Sequence, residues 1–238
     1  MKPLIVFIMT EKEAEDLCKM VRIGVDSCKK YQPQTREELK DLIEELIKER
    51  GNKANLNNID VSQITSMSRL FFGSKFNGDI SEWDVSGVVS MSEMFEGSQF
   101  NGDISNWNVS EVKSMYGMFK GSQFNRDISK WDVSEVRQME WMFYESQFNE
   151  DISEWNVGKV ENMTEMFAYS QFNGDISKWD VSRVERTAGM FEGSQFNGDI
   201  SNWNVSNVVW MDGMFYNSNF NGDISKWAKK PWDLALVF

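Results

Sequence analysis

Seven aspartates, Asp79, Asp103, Asp127, Asp151, Asp175, Asp199 and Asp223, follow one another at steps of 24 residues. Carboxylates in such a column can do two things. Each can accept backbone N–H bonds as the cap of an Asx turn, or the column can take up calcium. A calcium repeat gathers several carboxylates or carbonyls around each ion, and here one carboxylate recurs per step. Turn capping is the expected role, with no metal and no other cofactor. A second polar column reads Asp84, Asn108, Asp132, Asn156, Asp180, Asn204. Charge alternates with neutral amide, which doubles the distance between like charges and lets each amide donate to the carboxylates on either side. A third group consists of aromatics outside the repeat rule: Tyr116, Trp141, Tyr144 and Tyr169 in three consecutive units, with Trp210 and Tyr216 further along. Other units carry Ser92, Glu93, Glu96 and Gly97 in these places, so the aromatics are not needed for stacking. A contiguous set of exposed aromatics on the convex, helix-side surface of the middle coils suits partner recognition. The alternative is that they fold down over gaps between neighbouring turns. The Asp84–Asn204 column is the second candidate surface.

Other chemistries are excluded by what the chain lacks. Histidine is absent, which removes histidine general acid–base work, His-dependent triads and His metal ligands. Cys18 and Cys28 cannot complete a four-cysteine zinc site; they are either bonded to each other or free in a reduced compartment. No nucleophile–base pair or phosphate loop stands out, so the chain does not read as an enzyme. Acidic residues outnumber basic ones by 37 to 25, for a net charge of −12. Such a chain repels phosphate backbones and anionic lipid surfaces, so direct nucleic-acid binding is not expected. No run of 18 or more apolar residues provides a membrane span.

The elements that position these columns follow from the repeat. One unit reads Phe-Asn-Gly-Asp-Ile-Ser-x-Trp-(Asp/Asn)-Val-Ser-x-Val-x-x-Met-x-x-Met-Phe-x-x-Ser-x, and Trp83, Trp107, Trp131, Trp155, Trp179, Trp203 and Trp227 keep the 24-residue step without insertion. A degenerate copy begins near Asn55, with Leu56 for the isoleucine and Ile59 for the tryptophan. Trp83 and Val85 are two apart, the strand period. Val88, Met91, Met94 and Phe95 are three or four apart or adjacent, the helical pattern. The spacing therefore predicts one short parallel strand at each Trp-x-Val, tryptophan inward, and a short helix or 3₁₀ turn after it. One unit cannot bury both apolar faces, but stacked units can. The glycine after Phe-Asn suits a turn with positive φ, although Arg126 and Glu150 interrupt that column.

The Ile-x-x-Trp-x-Val-Ser-x-Val-x-x-Met-x-x-Met-Phe-x-x-Ser pattern resembles the repeat of bacterial surface proteins related to the BspA-type leucine-rich repeats. The resemblance covers about residues 31–227. It implies a leucine-rich-repeat-like solenoid with a roughly parallel sheet on one face, and it implies adhesion or protein–protein recognition without catalysis. Many relatives look exported or lipid-anchored, which implies the cell surface or secretion. The chain itself shows no clear signal peptide, which points to the cytoplasm: the apolar run 4–9 is short, lacks a small-residue cleavage site, and reads as a buried strand or cap unless it is an unusual export signal.

Three segments result: an N-terminal strand and helix cap (1–51), a solenoid of about eight coils (52–227) and a C-terminal apolar cap (228–238). In the first, Thr10-Glu11-Lys12-Glu13 opens a helix to about Arg22. Thr35-Arg36-Glu37-Glu38 is a capping box for a second helix, with Leu39, Leu42, Ile43, Leu46 and Ile47 on one face and Gly51 as its stop. In the last, Trp232, Leu234, Leu236, Val237 and Phe238 either cover the final coil or pair with another chain end to end. The expected function is a non-catalytic recognition or adhesion scaffold with a protein partner. The alternative is an acidic nucleic-acid mimic that occupies the groove of a DNA-binding protein, because the repeats carry most of the excess acid.

Overall fold

The structure, a computed structural model, describes residues 31–227. The apolar run 4–9, the helix expected from Thr10, both cysteines and the segment 228–238 lie outside the described residues. Helix α1 (Arg36–Arg50) begins where the capping box places it. The Thr35 hydroxyl accepts the Glu38 N–H at 3.2 Å. The Glu38 carboxylate reaches back to the Gln34 N–H at 2.8 Å, one residue before the cap itself. Gly51, at φ 85°, ends the helix and donates its N–H to the Ile47 carbonyl at 2.8 Å. Leu39, Ile43 and Leu46 are buried, and Arg36 Nε donates to the Ser68 carbonyl at 2.6 Å, so α1 covers the first coils.

The rest is a stack of 24-residue coils in parallel register. Six parallel bridges join Ser66, Ser90, Ser114, Gln138, Asn162, Arg186 and Trp210 in series. The strand expected at each Trp-x-Val is therefore displaced: the ladder runs through the residue before the first methionine. It is also not a strand. The N–H groups of Met91, Glu93, Phe95 and Gly97 donate to the carbonyls of Ser114, Tyr116, Met118 and Lys120 in the next coil at 2.7–3.0 Å. Those of Met94, Glu96 and Ser98 turn back to Met91, Glu93 and Phe95 at 3.0–3.2 Å. Alternate donors thus serve the next coil and the residue's own turn.

The expected helix or 3₁₀ turn is replaced by these linked tight turns, for a backbone reason. Glu93 and Gly97 have φ of 55° and 64°, at the third position of the 91–94 and 95–98 turns, where a type II turn requires φ > 0. A left-handed residue every fourth position is incompatible with a right-handed helix. Two such turns in succession nonetheless return an apolar residue to the core every three or four positions. Among the described residues, α1 is the one α-helix; no helix there is long and apolar enough to cross a membrane.

The core consists of aromatic columns. Phe95, Phe119, Phe143, Phe167, Phe191 and Phe215 stack at 5.6–5.8 Å. Phe76 to Phe220 form a second column at 6.2–6.4 Å. The tryptophans of the 24-residue column, Trp83 to Trp227, are 3–4% exposed. In this column each indole N–H donates to a carbonyl of the preceding coil, Leu56 for Trp83 at 2.9 Å and isoleucine for the rest, as Trp107 does to Ile80 at 3.2 Å and Trp155 to Ile128 at 3.1 Å. Satisfying that donor is what allows a tryptophan to be a core residue here. The Phe-Asn-Gly glycine does not have positive φ. Gly78 is small because a Cβ there would meet the Ala54 carbonyl oxygen at 2.0 Å and the Phe76 ring at 2.7 Å.

Candidate functional site

The aspartate column caps turns. Asp103 Oδ1 accepts the Ser105 N–H at 2.9 Å, and Asp151, Asp175 and Asp199 repeat this with Ser153, Ser177 and Ser201. Backbone and hydroxyl hydrogen bonds from these serines hold the carboxyls below the ordinary aspartate range, and Asp223 behaves alike with Ser225. Among the described residues, no group of three or more acidic, thiol or imidazole side chains converges to hold a metal ion. Between these turns the asparagines clip coil to coil: Asn77 Oδ1 accepts the Asn101 N–H at 3.0 Å, and Asn101 Oδ1 the Asn125 N–H at 2.9 Å.

A lowered native pKa makes stability depend on ionisation. The contribution is complete above the unfolded aspartate pKa of about 3.9 and is lost as pH falls through the lowered native values. Changing Asp103, Asp151, Asp175, Asp199 and Asp223 together to asparagine should flatten the acid limb of stability below about pH 4. The neutral fold should survive, since an amide oxygen makes the same bond at Asn108 to Ser110. Thermal melts across the acid range check this; an unchanged acid slope would place the sensitivity elsewhere.

The second polar column is corrected in role. Asp84, Asn108, Asp132, Asn156, Asp180 and Asn204 are exposed, but they lie on turns and not on a sheet face. Their Oδ1 atoms accept the N–H two residues on, from Ser86, Ser110, Ser134, Gly158, Ser182 and Ser206, at 3.0–3.2 Å. Aspartate and asparagine serve equally as that acceptor, which is why the two can alternate. One coil-to-coil ion pair runs alongside, Lys178 to Glu154 at 2.8 Å.

The four aromatics are brought together. They lie on the ladder-bearing turns, not on a helical face. The Tyr116 and Trp141 rings are 5.2 Å apart, tilted by 53°. Tyr144 and Tyr169 meet edge to face at 5.7 Å. Lys120 joins the two pairs: its Nζ lies 4.6 Å from the Trp141 ring centre and 5.6 Å from that of Tyr144, and 3.3 Å from the Glu96 carboxylate. Tyr116, Trp141 and Tyr144 are half-buried; Tyr169 is 42% exposed. Trp210 and Tyr216 are more open, at 49% and 59%, and Arg186 lies over Trp210 at 5.0 Å.

The backbone under the cluster is unusual. Trp141 has φ 57° and Tyr169 φ 56°. They occupy the two left-handed positions of their coils, which are glycine at Gly117 and Gly189, and at Gly97, Gly121 and Gly193. A bulky side chain there is a genuine outlier. The Tyr169 ring leans over the next coil, where a Cβ on Gly193 would meet it at 2.5 Å. Its hydroxyl donates to the Glu192 carboxylate, and that bond, with desolvation and the nearby acids, pushes the Tyr169 pKa up to about 12. Burial is the leading cause of the upward shifts at Tyr116 and Tyr144. The buried Trp141 Nε1 has no hydrogen-bond partner among the described residues.

Sequence reasoning missed Lys120, Glu96 and Glu192. Each occupies an ordinary variable position, and only the coil-to-coil offset brings Lys120 against Trp141 and Tyr144, Glu96 against Lys120 and Glu192 against Tyr169. It also missed the half-buried Glu140, whose carboxyl is raised by burial and accepts from the Asn162 amide.

The stack and its side-chain columns define the class: a tandem-repeat protein of stacked 24-residue coils with an aromatic patch on its ladder face. The family model described as "Mycoplasma protein of unknown function, DUF285" matches residues 40–147 and 141–234 in two tandem copies, and the chain belongs to that family. Neither a curated protein nor a solved structure gives a match.

Proposed function

We propose that the protein is a non-catalytic recognition scaffold, a leucine-rich-repeat-like solenoid whose protein partner docks on Tyr116, Trp141, Tyr144 and Tyr169. One observation carries the reading: Trp141 and Tyr169 are bulky aromatics on left-handed backbone where sister coils use glycine or a polar residue. Such strain costs about 1–3 kcal/mol per site and concentrates at functional positions. The other non-glycine residues at these positions, Arg69, Glu93, Glu145, Glu165 and Asn217, are polar, and Arg69 and Glu93 form a 2.7 Å ion pair. The aromatics supply contact area at low entropic cost, with Tyr169 presented outward. Adhesion at a cell surface is the setting that the repeat resemblance implies.

The nucleic-acid mimic remains the second reading, supported by the ionised, exposed aspartate column. The two separate by experiment. Changing Trp141 and Tyr144 together to serine should leave the melting transition near that of the wild type. It should abolish capture of the partner from native cell extract, and capture by the wild type should tolerate salt. Capture that survives the double change but collapses steeply with salt supports the mimic. Capture that survives both moves the contact to the Asp84–Asn204 column.

A further inference from the structure

Resting on that reading, we infer that the Tyr144–Tyr169 corner seats a basic side chain, lysine or arginine, from a segment of the partner protein. The chain already displays the required chemistry one coil away. Lys120 places its ammonium against two aromatic rings and 3.3 Å from the Glu96 carboxylate. That half of the cluster is balanced from within: aromatic faces, one cation, one carboxylate.

Lys120 stands 5.6 Å from the Tyr144 ring centre, but among the described residues no lysine or arginine lies over the Tyr169 ring, whose charged neighbours are carboxylates. In the column that places Lys120, the next coil carries Tyr144 itself and the one after carries Ala168. Neither residue delivers a lysine to the Tyr169 ring. The charged groups acting on the Tyr144 and Tyr169 hydroxyls are Glu145, Glu165 and Glu192, all acidic. Tyr144 and Tyr169 meet edge to face at 5.7 Å, and Tyr169 is open to solvent. A ring carries negative potential on its face, and carboxylates beside it deepen that potential, so the corner favours a cation over a neutral or anionic group. A net charge of −12 steers a basic partner toward the chain from further away.

The test uses the full chain and two labelled peptides, one alternating glycine with lysine and one in which norleucine, which lacks the ammonium, replaces each lysine. Fluorescence anisotropy at moderate salt reads binding. The lysine peptide should bind about tenfold more tightly than the norleucine peptide. Tyr169→Gly, which installs the residue normal for that position, should remove most of this preference, as should Glu145→Gln combined with Glu165→Gln. A melt of each variant confirms that it is folded. Equal binding of both peptides overturns the cation inference but leaves aromatic recognition standing. Lysine-peptide binding that no corner variant weakens reflects general attraction to an acidic protein and overturns the inference. So does absence of binding. The recognition reading itself fails only if partner capture ignores the Trp141 and Tyr144 changes.

Discussion

Trp155→Ala should destabilise the fold by about 3–5 kcal/mol, as large-to-small changes in packed cores do. Trp155 is 3% exposed in a middle coil. Its ring contacts Phe143 at 6.4 Å between centres, and Phe143 is packed at 4.2 Å against Phe148 and at 5.8 Å against Phe119. Removing the indole therefore opens a cavity against Phe143, the residue that links the two phenylalanine columns. It also removes the hydrogen bond to the Ile128 carbonyl in the preceding coil. That carbonyl keeps its bond from the Trp131 N–H at 3.1 Å, so the larger loss is packing. Collapse to fill the gap is resisted because the neighbouring coils are held at fixed spacing by their own ladders. Urea unfolding measures the change; near-wild-type stability would mean that the tryptophan column is not what joins the coils.

How far the sequence could be read depended on which patterns have more than one structural solution. Helix α1 was legible because three local signals agree: Thr35 as cap, a five-residue apolar face and Gly51 as stop. The stacking was legible because a fixed 24-residue step with no insertion permits little else. Within a coil the signals were degenerate. The spacing Val88, Met91, Met94, Phe95 satisfies a helix and equally a pair of linked tight turns. The decisive clue was the recurrence of Gly73, Gly97, Gly121 and Gly193 at one position, all with φ near 60°. Glu145, Tyr169 and Asn217 occupy the same position and mask it. Gly78 and its equivalents are the more conspicuous glycines in the sequence, but the constraint there is a ring overhead and not backbone hand. At the site, the aromatics were visible as departures from the repeat. Lys120 was not, because its contacts with Trp141 and Tyr144 depend on the coil-to-coil offset.

Thr187→Met should raise stability by about 2 kcal/mol, through recovered hydroxyl desolvation and added apolar contact. Thr187 stands in the column otherwise filled by Met67, Met91, Met115, Met139, Met163 and Met211, all buried. It is 2% exposed, and its Oγ1 has no hydrogen-bond partner among the described residues. Its backbone is normal for the column: the N–H donates to the Trp210 carbonyl in the next coil at 2.7 Å, as Met163 does to Arg186 at 2.9 Å. Backbone geometry thus gives no reason for a threonine, and the cost is confined to the side chain. Two further variants divide that cost. Thr187→Val keeps the shape and removes the stranded hydroxyl, so it should recover about 1 kcal/mol. Thr187→Ser keeps the hydroxyl and loses a methyl, so it should lie below the wild type. If valine gains and methionine adds nothing further, the neighbouring coils have closed around the smaller side chain and the longer one is overpacked. If neither gains, the hydroxyl is satisfied in solution, and this coil is no weaker than its neighbours.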